Sequence, residues 1–160
     1  MPTTQRAIYD ELLQAIRTGV SSKVSSQHVH IALQPTFYAI GSQYIQIIPQ
    51  VPQAVHRRSG VGLITEQFQV ATWVRVHLDI GGVSTEKLIN ESLGVMELLA
   101  LIRSSLIQNQ LRGEAVVPVT WVQGSVPQEP PNQDTQSGSG WLMYTDTFEV
   151  GYEIDWRGES

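Results

Sequence analysis

The feature that most constrains the fold is a stretch of thirteen residues, 68–80, in which every even position is apolar or threonine. The odd positions are mostly polar. Because successive side chains of a β-strand point to opposite faces, this alternation predicts a long strand with one buried face. At about 3.3 Å per residue such a strand spans roughly 43 Å, more than twice the usual length. The chain is therefore expected to fold around a β-sheet.

Two amphipathic helices are predicted, one before this strand in the sequence and one after it. Apolar residues recur at helical spacing over 4–17, with Thr3 or Thr4 as the N-cap and Gly19 as the stop signal. A second helix of about 26 residues is expected from Ser84 onward, long enough to lie along the strand. Its predicted inner stripe consists of Leu88, Ser92, Val95, Met96, Leu99, Ile102 and Leu106.

Gly94 lies inside the second predicted helix. Glycine in a helix interior costs about 1 kcal/mol relative to alanine. A close packing contact is therefore expected at this position.

Further strands are predicted at 28–33, 44–48, 116–122 and 141–154. Pro118 makes the third of these an edge strand or a bulge, because proline has no backbone N–H to donate. Residues 53–63 are expected to form a basic loop containing glycine. The whole chain, 1–160, is predicted to be a single α+β domain with a mainly antiparallel, twisted sheet flanked by the N-terminal helix and one long helix.

Residues 124–140 are rich in Gly, Ser, Pro and Gln and contain almost no apolar side chain. We expect a flexible loop between two strands, because a segment of this composition cannot bury a core. Loops of this kind often become ordered when they bind a partner.

Composition excludes several kinds of site. The chain has no cysteine, which excludes disulfides and zinc–thiolate sites, and we expect no membrane span and no signal peptide. A net charge of −5 argues against a dedicated nucleic-acid surface.

Charged residues make up only 16% of the chain, against about 25% in an average domain, and charge depletion is typical of interface cores. The composition therefore favours a protein that assembles with other subunits.

The residues predicted to form a subunit or partner interface lie in loops, at strand ends or on the polar face of the long strand; they are His56, Arg57, Arg58, Trp73, Arg75, His77, Trp121, Gln128, Gln133 and Trp141. The basic cluster at 56–58 is interpreted as a protein contact, with a solvated loop and a nucleic-acid contact as alternatives. Exposed tryptophans are typical interface anchors, and core packing is the competing interpretation.

His28 and His30 suggest a different class of function. Two histidines two apart on a strand share a face and form a possible metal pair, to which His77 would add a third ligand. A metal-dependent enzyme is therefore kept as an alternative. The preferred interpretation has no catalytic residue, no metal and no cofactor.

The order of the elements resembles that of the tail-terminator and neck proteins of long-tailed bacteriophages. The resemblance covers nearly the whole chain, from the helix containing 8–12 (IYDEL) to the closing strand 141–154, which ends in TDTFEVGYEI. The other matching segment is Glu66-x-Phe-x-Val, followed by Val-x-Val-x-Leu-x-Ile before the long helix.

This resemblance implies a structural virion protein without enzymatic activity. Six copies would form a ring at the top of the tail, stop growth of the tail tube and meet the head–tail connector or stopper protein. The tail sheath is a further candidate partner, and DNA would pass through the lumen without specific binding. The protein would be assembled in the host cytoplasm and located in the tail or neck. Other neck roles, and a module that captures a peptide strand at its sheet edge, remain as alternatives.

Overall fold

A computed structural model describes residues 3–36, 43–50, 52–58, 61–75, 85–125, 128 and 141–155, with side chains except at 53–58, 61, 85–93 and 155. The described residues form two α-helices and six β-strands. These elements are α1 (Gln5–Gly19), β1 (Val29–Ile31), β2 (Gln43–Pro49), β3 (Gln53–Arg58), β4 (Val61–Arg75), α2 (Thr85–Leu106), β5 (Val117–Gly124) and β6 (Trp141–Asp155). The predicted α+β class is confirmed.

The six described strands form one sheet in the order β1-β2-β4-β6-β5, and β3 also pairs with β4. β1 is parallel to β2, and the other pairs are antiparallel. β6 pairs with β4 along its whole length, so β2 and β3 share the opposite edge of β4. β5 is the last strand on its side, as the position of Pro118 predicts.

The long central strand begins earlier than predicted. β4 starts at Val61 and is described as far as Arg75, whereas 76–80 lie outside the described residues. The predicted basic loop at 53–63 is wrong, because 53–58 form β3 and pair with 61–65 of β4. The charged residue Glu66 interrupts the apolar pattern at even positions, which is why the pattern did not reveal the first part of the strand.

Helix α1 begins as predicted. The side chain of Thr4 accepts a hydrogen bond from the backbone N–H of Ala7 at 3.1 Å, which is an N-cap. Gly19 is the last helical residue, and a Cβ built there would lie 1.7 Å from Oγ of Ser105. Glycine therefore allows the end of α1 to approach α2 closely.

Helix α2 has 22 residues instead of the predicted 26 or so, and its predicted cap Ser84 lies outside the described residues. Val95, Leu99, Ile102 and Leu106 are buried as predicted. The side chain of Met96 is wrongly included in the inner stripe, since it is 64% exposed and Leu98 is buried in its place. The buried residues follow the i, i+3, i+4 spacing of one helix face. The side chains at 88 and 92 are not described.

The close contact predicted at Gly94 is also wrong. A Cβ built at Gly94 meets no atom of the described residues within 4 Å. It is Gly19, at the end of the other helix, that permits close helix packing.

The two faces of the sheet have different coverings. The face under α1 and α2 contributes Phe68, Val70, Phe148 and Val150 to the main core, together with the buried residues of both helices. The opposite face carries a smaller cluster made of Tyr44, Ile48, Ala71, Trp73, Trp141 and Met143. Because side chains alternate along β4, residues 71 and 73 face away from the helices.

The start of the predicted flexible loop at 124–140 is wrong, because it belongs to the sheet. Gly124 ends β5, and the backbone N–H of Ser125 donates to the carbonyl of Thr145 at 2.7 Å. Gln128 and Met143 exchange two backbone hydrogen bonds of 2.9 and 2.7 Å. The remaining residues of that segment lie outside the described residues.

Candidate interaction surface at the edge of the sheet

Strand β5 is an edge strand with large apolar side chains on its surface. The exposed fractions are 55% for Val116, 46% for Val117 and 45% for both Trp121 and Val122. Within the described part of the chain, no strand lies outside β5. An edge strand of this kind can pair with or pack against another chain. We call residues 116–125 the β5 edge.

The β5 edge is partly covered from within the chain. The backbone N–H of Gln108 donates to the carbonyl of Val119 at 2.8 Å, and the N–H of Val119 donates to the carbonyl of Asn109 at 3.1 Å. Gln108 adopts a φ of 65°, which is uncommon outside glycine and turns the chain after α2 toward β5. These two hydrogen bonds occupy the backbone of Val119, and the apolar residues lie on either side of it.

Trp121 is held in a defined position by polar contacts. Its Nε1–H donates to Oδ1 of Asp146 at 3.1 Å, and the guanidinium of Arg103 lies 5.0 Å from the centre of its ring. Arg103 also donates from Nη2 to the same carboxylate oxygen at 2.9 Å. Asp146 is 2% exposed, and charged hydrogen bonds are stronger in such a dry environment. Trp121 is thus an exposed aromatic ring whose orientation is fixed before any partner binds.

Local sequence explains why Asp146 can reach this position. Gly124 is opposite Asp146 in the β5–β6 ladder, and a Cβ built at Gly124 would lie 2.9 Å from Oδ1 of Asp146. Two shifts of register in β5, between Val117 and Thr120 and between Trp121 and Gln123, change the alternation of its side chains. Irregular pairing of this kind can re-aim side chains at a sheet edge.

The three tryptophans predicted as interface anchors have different environments. Trp121 is exposed, whereas Trp73 is 0% and Trp141 5% exposed, so their proposed role as surface anchors is wrong. Trp73 stacks on Tyr44 with the ring centres 5.5 Å apart, and its Nε1–H donates to Oε1 of Gln46 at 3.0 Å. Trp73 and Trp141 lie on the central strands β4 and β6 and are buried in the side-chain cluster on the face opposite the helices.

The other predicted interface residues are only partly described. Arg75 is exposed at the end of β4, and Gln128 is exposed where it pairs with Met143. His56, Arg57 and Arg58 lie on β3, and their side chains are not described. His77 and Gln133 lie outside the described residues. Of the five residues whose side chains are described, Trp73 and Trp141 are buried, so these five do not form one exposed surface.

His28 and His30 are not a pair on one strand. His28 ends a short 3-10 helix at Ser26–His28, and only His30 belongs to β1. Nε2 of His30 lies 3.4 Å from Nε2 of Gln46. Burial and the neighbouring charges of Arg17 and His28 lower the pKa of His30. Among the described residues, no group of three or more His, Cys, Asp or Glu side chains is placed to hold a metal ion.

Sequence reasoning missed a buried carboxylate under the first turns of α1. Glu66 is fully buried, and its carboxylate accepts hydrogen bonds from the hydroxyls of Tyr9 and Tyr152 and from the amide of Gln5. The bonds from Tyr152 and Gln5 measure 2.9 and 2.8 Å. The only sequence signal was an acidic residue at an even, inward-facing position of the strand. The cluster joins α1 to β4 and β6.

Burial raises the pKa of both tyrosines, and the hydrogen bond to Glu66 and its negative charge act in the same direction. Both hydroxyls therefore remain protonated and act as donors at neutral pH. Because Glu66, Tyr9 and Tyr152 are all buried, the cluster is a hydrogen-bond network of the core with a structural role.

A polar groove of about 370 Å³ lies between α1 and the end of α2. Its lining includes Glu11, Thr18, Ser105, Asn109 and Arg112. Nε of Arg112 is 3.5 Å from a carboxylate oxygen of Glu11, and the arginine side chain is 84% exposed. A solvated ion pair of this kind contributes little stability.

In the part of the chain that the structure describes, neither helix combines the length and the hydropathy needed to cross a bilayer. Comparison with known proteins found no family model and no curated sequence that matches this chain.

Proposed function

We propose that this protein is a structural subunit that assembles with copies of itself, and that the assembly is a tail-terminator ring of a long-tailed bacteriophage. The observation that carries the proposal is the β5 edge, with its exposed apolar residues and the fixed ring of Trp121. Such a surface is suited to a contact between subunits, since aromatic anchors and desolvated edges carry much of the energy of protein interfaces.

The polar groups around the edge suit an interface as well. The exposed residues of the β5 edge are apolar or uncharged, including Thr120, Gln123 and Ser125 next to Trp121 and Val122. Uncharged groups lose less hydration energy on burial than charged side chains do. Among the described residues, the charged groups that contact Trp121 are Arg103 and Asp146, which are paired with each other.

The specific role rests on the resemblance in element order. A helix, short strands, a long central strand, a long helix and two final strands follow one another as in tail-terminator and neck proteins. The role implies a ring of six copies in the virion tail or neck, which contacts the tail tube and the connector or stopper protein while DNA passes through its lumen. A neighbouring role in head–tail joining or tail completion would use the same kind of ring.

Light scattering and negative-stain imaging of the purified protein test the first part of the proposal. We expect closed rings at micromolar concentration, and Trp121→Ala should dissociate them. Met96→Ala is the matched control, because Met96 is an exposed apolar residue that belongs to α2 and not to β5. A protein that stays monomeric at hundreds of micromolar would overturn the proposal.

A second experiment tests the role in the tail. The tail-tube protein encoded in the same phage genome is allowed to polymerise with and without the purified protein. A terminator should bind one end of each tube and limit its length. Rings that leave the length of the tubes unchanged would argue for a different neck role.

The β5 edge also suits the alternative of a peptide-binding module, because the part of a strand edge that is not covered from within the chain can accept an extended peptide. The two functions differ in oligomeric state. A monomer that binds an extended, uncharged peptide through β5 would favour this alternative.

A further inference from the structure

The charged residues of the chain are sorted by sign along the sequence. Residues 12–65 contain four Lys or Arg and three His but no Asp or Glu. Residues 113–156 contain seven Asp or Glu and no Lys, Arg or His. A net charge of −5 for the whole chain conceals this separation.

The sheet converts this separation along the sequence into a separation in space. β1, β2 and β3 belong to the first segment, and all three lie on one side of β4. β5 and β6 belong to the second segment and lie on the other side of β4. We call β1–β3 the basic side of the sheet and β5–β6 the acidic side.

Contacts among the described residues neutralise only part of each side. On the acidic side Asp146 is paired with Arg103, whereas Glu149 has a neutral contact with Gln67 and Glu153 is exposed. On the basic side Lys23 is paired with Glu97. Arg17 lies against β1, where its guanidinium donates two hydrogen bonds of 3.1 and 2.8 Å to the carbonyl of Val29.

Each end of the sheet also exposes apolar side chains. At the basic end, Ile31 of β1 is 37% exposed, and Leu33, which directly follows β1, is 92% exposed. At the acidic end lie the apolar residues of the β5 edge. The two apolar surfaces are therefore on opposite ends of the sheet, one on the basic side and the other on the acidic side.

We call the exposed side chains of Ile31 and Leu33 the β1 end. We infer that copies of this chain associate head to tail, with the β5 edge of one copy against the β1 end of the next. A contact between two β5 edges would bring acidic sides together, and a contact between two β1 ends would bring basic sides together. Like charges at an interface disfavour association, whereas complementary charges speed and orient it. A contact between unlike ends leaves one free end of each kind on the dimer, so that copies can be added until a ring closes.

This inference rests on the proposed self-assembly and adds which surfaces meet. Leu33→Glu should remove the apolar contact at one end, and the exposure of Leu33 means that the fold should tolerate it. Trp121→Glu should remove the contact at the other end. Val122→Glu is a second variant at that end, in case the loss of the Trp121 hydrogen bond affects folding; circular dichroism checks the fold of each.

The decisive experiment mixes the two kinds of variant and measures mass by light scattering. Each variant alone should be monomeric. An equimolar mixture of Leu33→Glu with Trp121→Glu or Val122→Glu should form a dimer, because each partner retains the end that the other lacks. Met96→Glu, whose charge lies on α2, should assemble like the unmodified protein.

The outcomes separate this inference from the proposed function. Unmodified protein that is monomeric at low salt and high concentration overturns both. An oligomer that survives Leu33→Glu overturns only the head-to-tail contact, and dimers of Leu33→Glu alone would indicate pairing between two β5 edges.

Salt provides an independent measurement on the unmodified protein. Raising NaCl from 50 to 500 mM should raise the dissociation constant of the oligomer by about tenfold, because exposed charges are screened. Unchanged or tighter association at high salt would contradict the role of the charges.

Discussion

Glu66 and Asp146 are both buried carboxylates on the helix-covered face of the sheet, yet their surroundings are different. Within the part of the chain that the structure describes, the donors to Glu66 are neutral: the two tyrosine hydroxyls and the amide of Gln5. Asp146 is bound by the cation of Arg103 and the indole of Trp121. The tyrosines are buried, whereas the side chain of Arg103 is 36% and Trp121 45% exposed.

The comparison separates a carboxylate that holds the core together from one that shapes the surface. Without Glu66, the buried hydroxyls of Tyr9 and Tyr152 have no acceptor, and water cannot reach them. Without Asp146, the donors of Arg103 and Trp121 lose their acceptor, but water can reach them. The first change should therefore affect folding, and the second should affect mainly the β5 edge.

The largest effect is expected for Glu66→Ala. Removing the carboxylate leaves two buried hydroxyls without their acceptor and opens a cavity, which should lower the free energy of unfolding by about 3 kcal/mol. Urea denaturation followed by circular dichroism measures it. Glu66→Gln, which keeps the volume and one acceptor oxygen, should lose about 1 kcal/mol. Equal losses in the two variants would contradict the role of the hydrogen bonds.

The second prediction concerns alkaline pH and the same cluster. The pKa values of Tyr9 and Tyr152 are raised above the ordinary value of 10.0 in the folded protein. Above pH 10 the unfolded chain loses these protons while the folded protein keeps them, so the free energy of unfolding should fall as pH rises. Their contribution is fully present below pH 10.

Urea denaturation between pH 9 and 11 measures this slope. A variant with Tyr9→Phe and Tyr152→Phe is the control, and its stability should fall less steeply over the same range. Identical slopes in the two proteins would show that these hydroxyls do not titrate as argued.

A smaller loss of stability is expected for Asp146→Ala. Arg103 and Trp121 can bind water once the carboxylate is gone, so the free energy of unfolding should fall by only about 1 kcal/mol. Self-association should weaken more than stability does, because Trp121 loses its fixed orientation. A loss as large as that of Glu66→Ala would remove the distinction between the two carboxylates.

The smallest effect is expected for Trp121→Phe. The aromatic ring is kept and one hydrogen bond at the surface is lost, which should change the free energy of unfolding by only a few tenths of a kcal/mol, roughly 0.5 at most. Sedimentation should show weaker association than in the unmodified protein and stronger association than in Trp121→Ala. Equal association of Phe and Ala at this position would exclude the ring as the anchor.

The sequence predicted the regular parts of this fold better than its contacts. Alternation revealed the part of β4 from Phe68 onward and the whole of β6, because each has one continuous apolar face. It did not reveal β3 or the start of β4, where glycine, arginine and Glu66 interrupt the pattern. The alternation of apolar and polar residues reveals a buried strand only where the apolar residues repeat without interruption.

The candidate surface was predictable in part. Pro118 predicted that β5 is an edge strand or contains a bulge, and Trp121 was among the proposed anchors. Three tryptophans in similar contexts could not be separated, because the order of strands in the sheet decides which one is exposed. The partners of Glu66 are 57 and 86 residues away in the chain, a distance that local pattern does not bridge.

The close approach of Gly19 to Ser105 has a consequence for evolution. A side chain can be added at position 19 only if the one at position 105 becomes smaller or the helices separate. In homologous sequences, the two positions should therefore exchange bulk: where residue 19 is alanine or serine, residue 105 should be glycine. A homologue with large residues at both positions must hold its two helices farther apart.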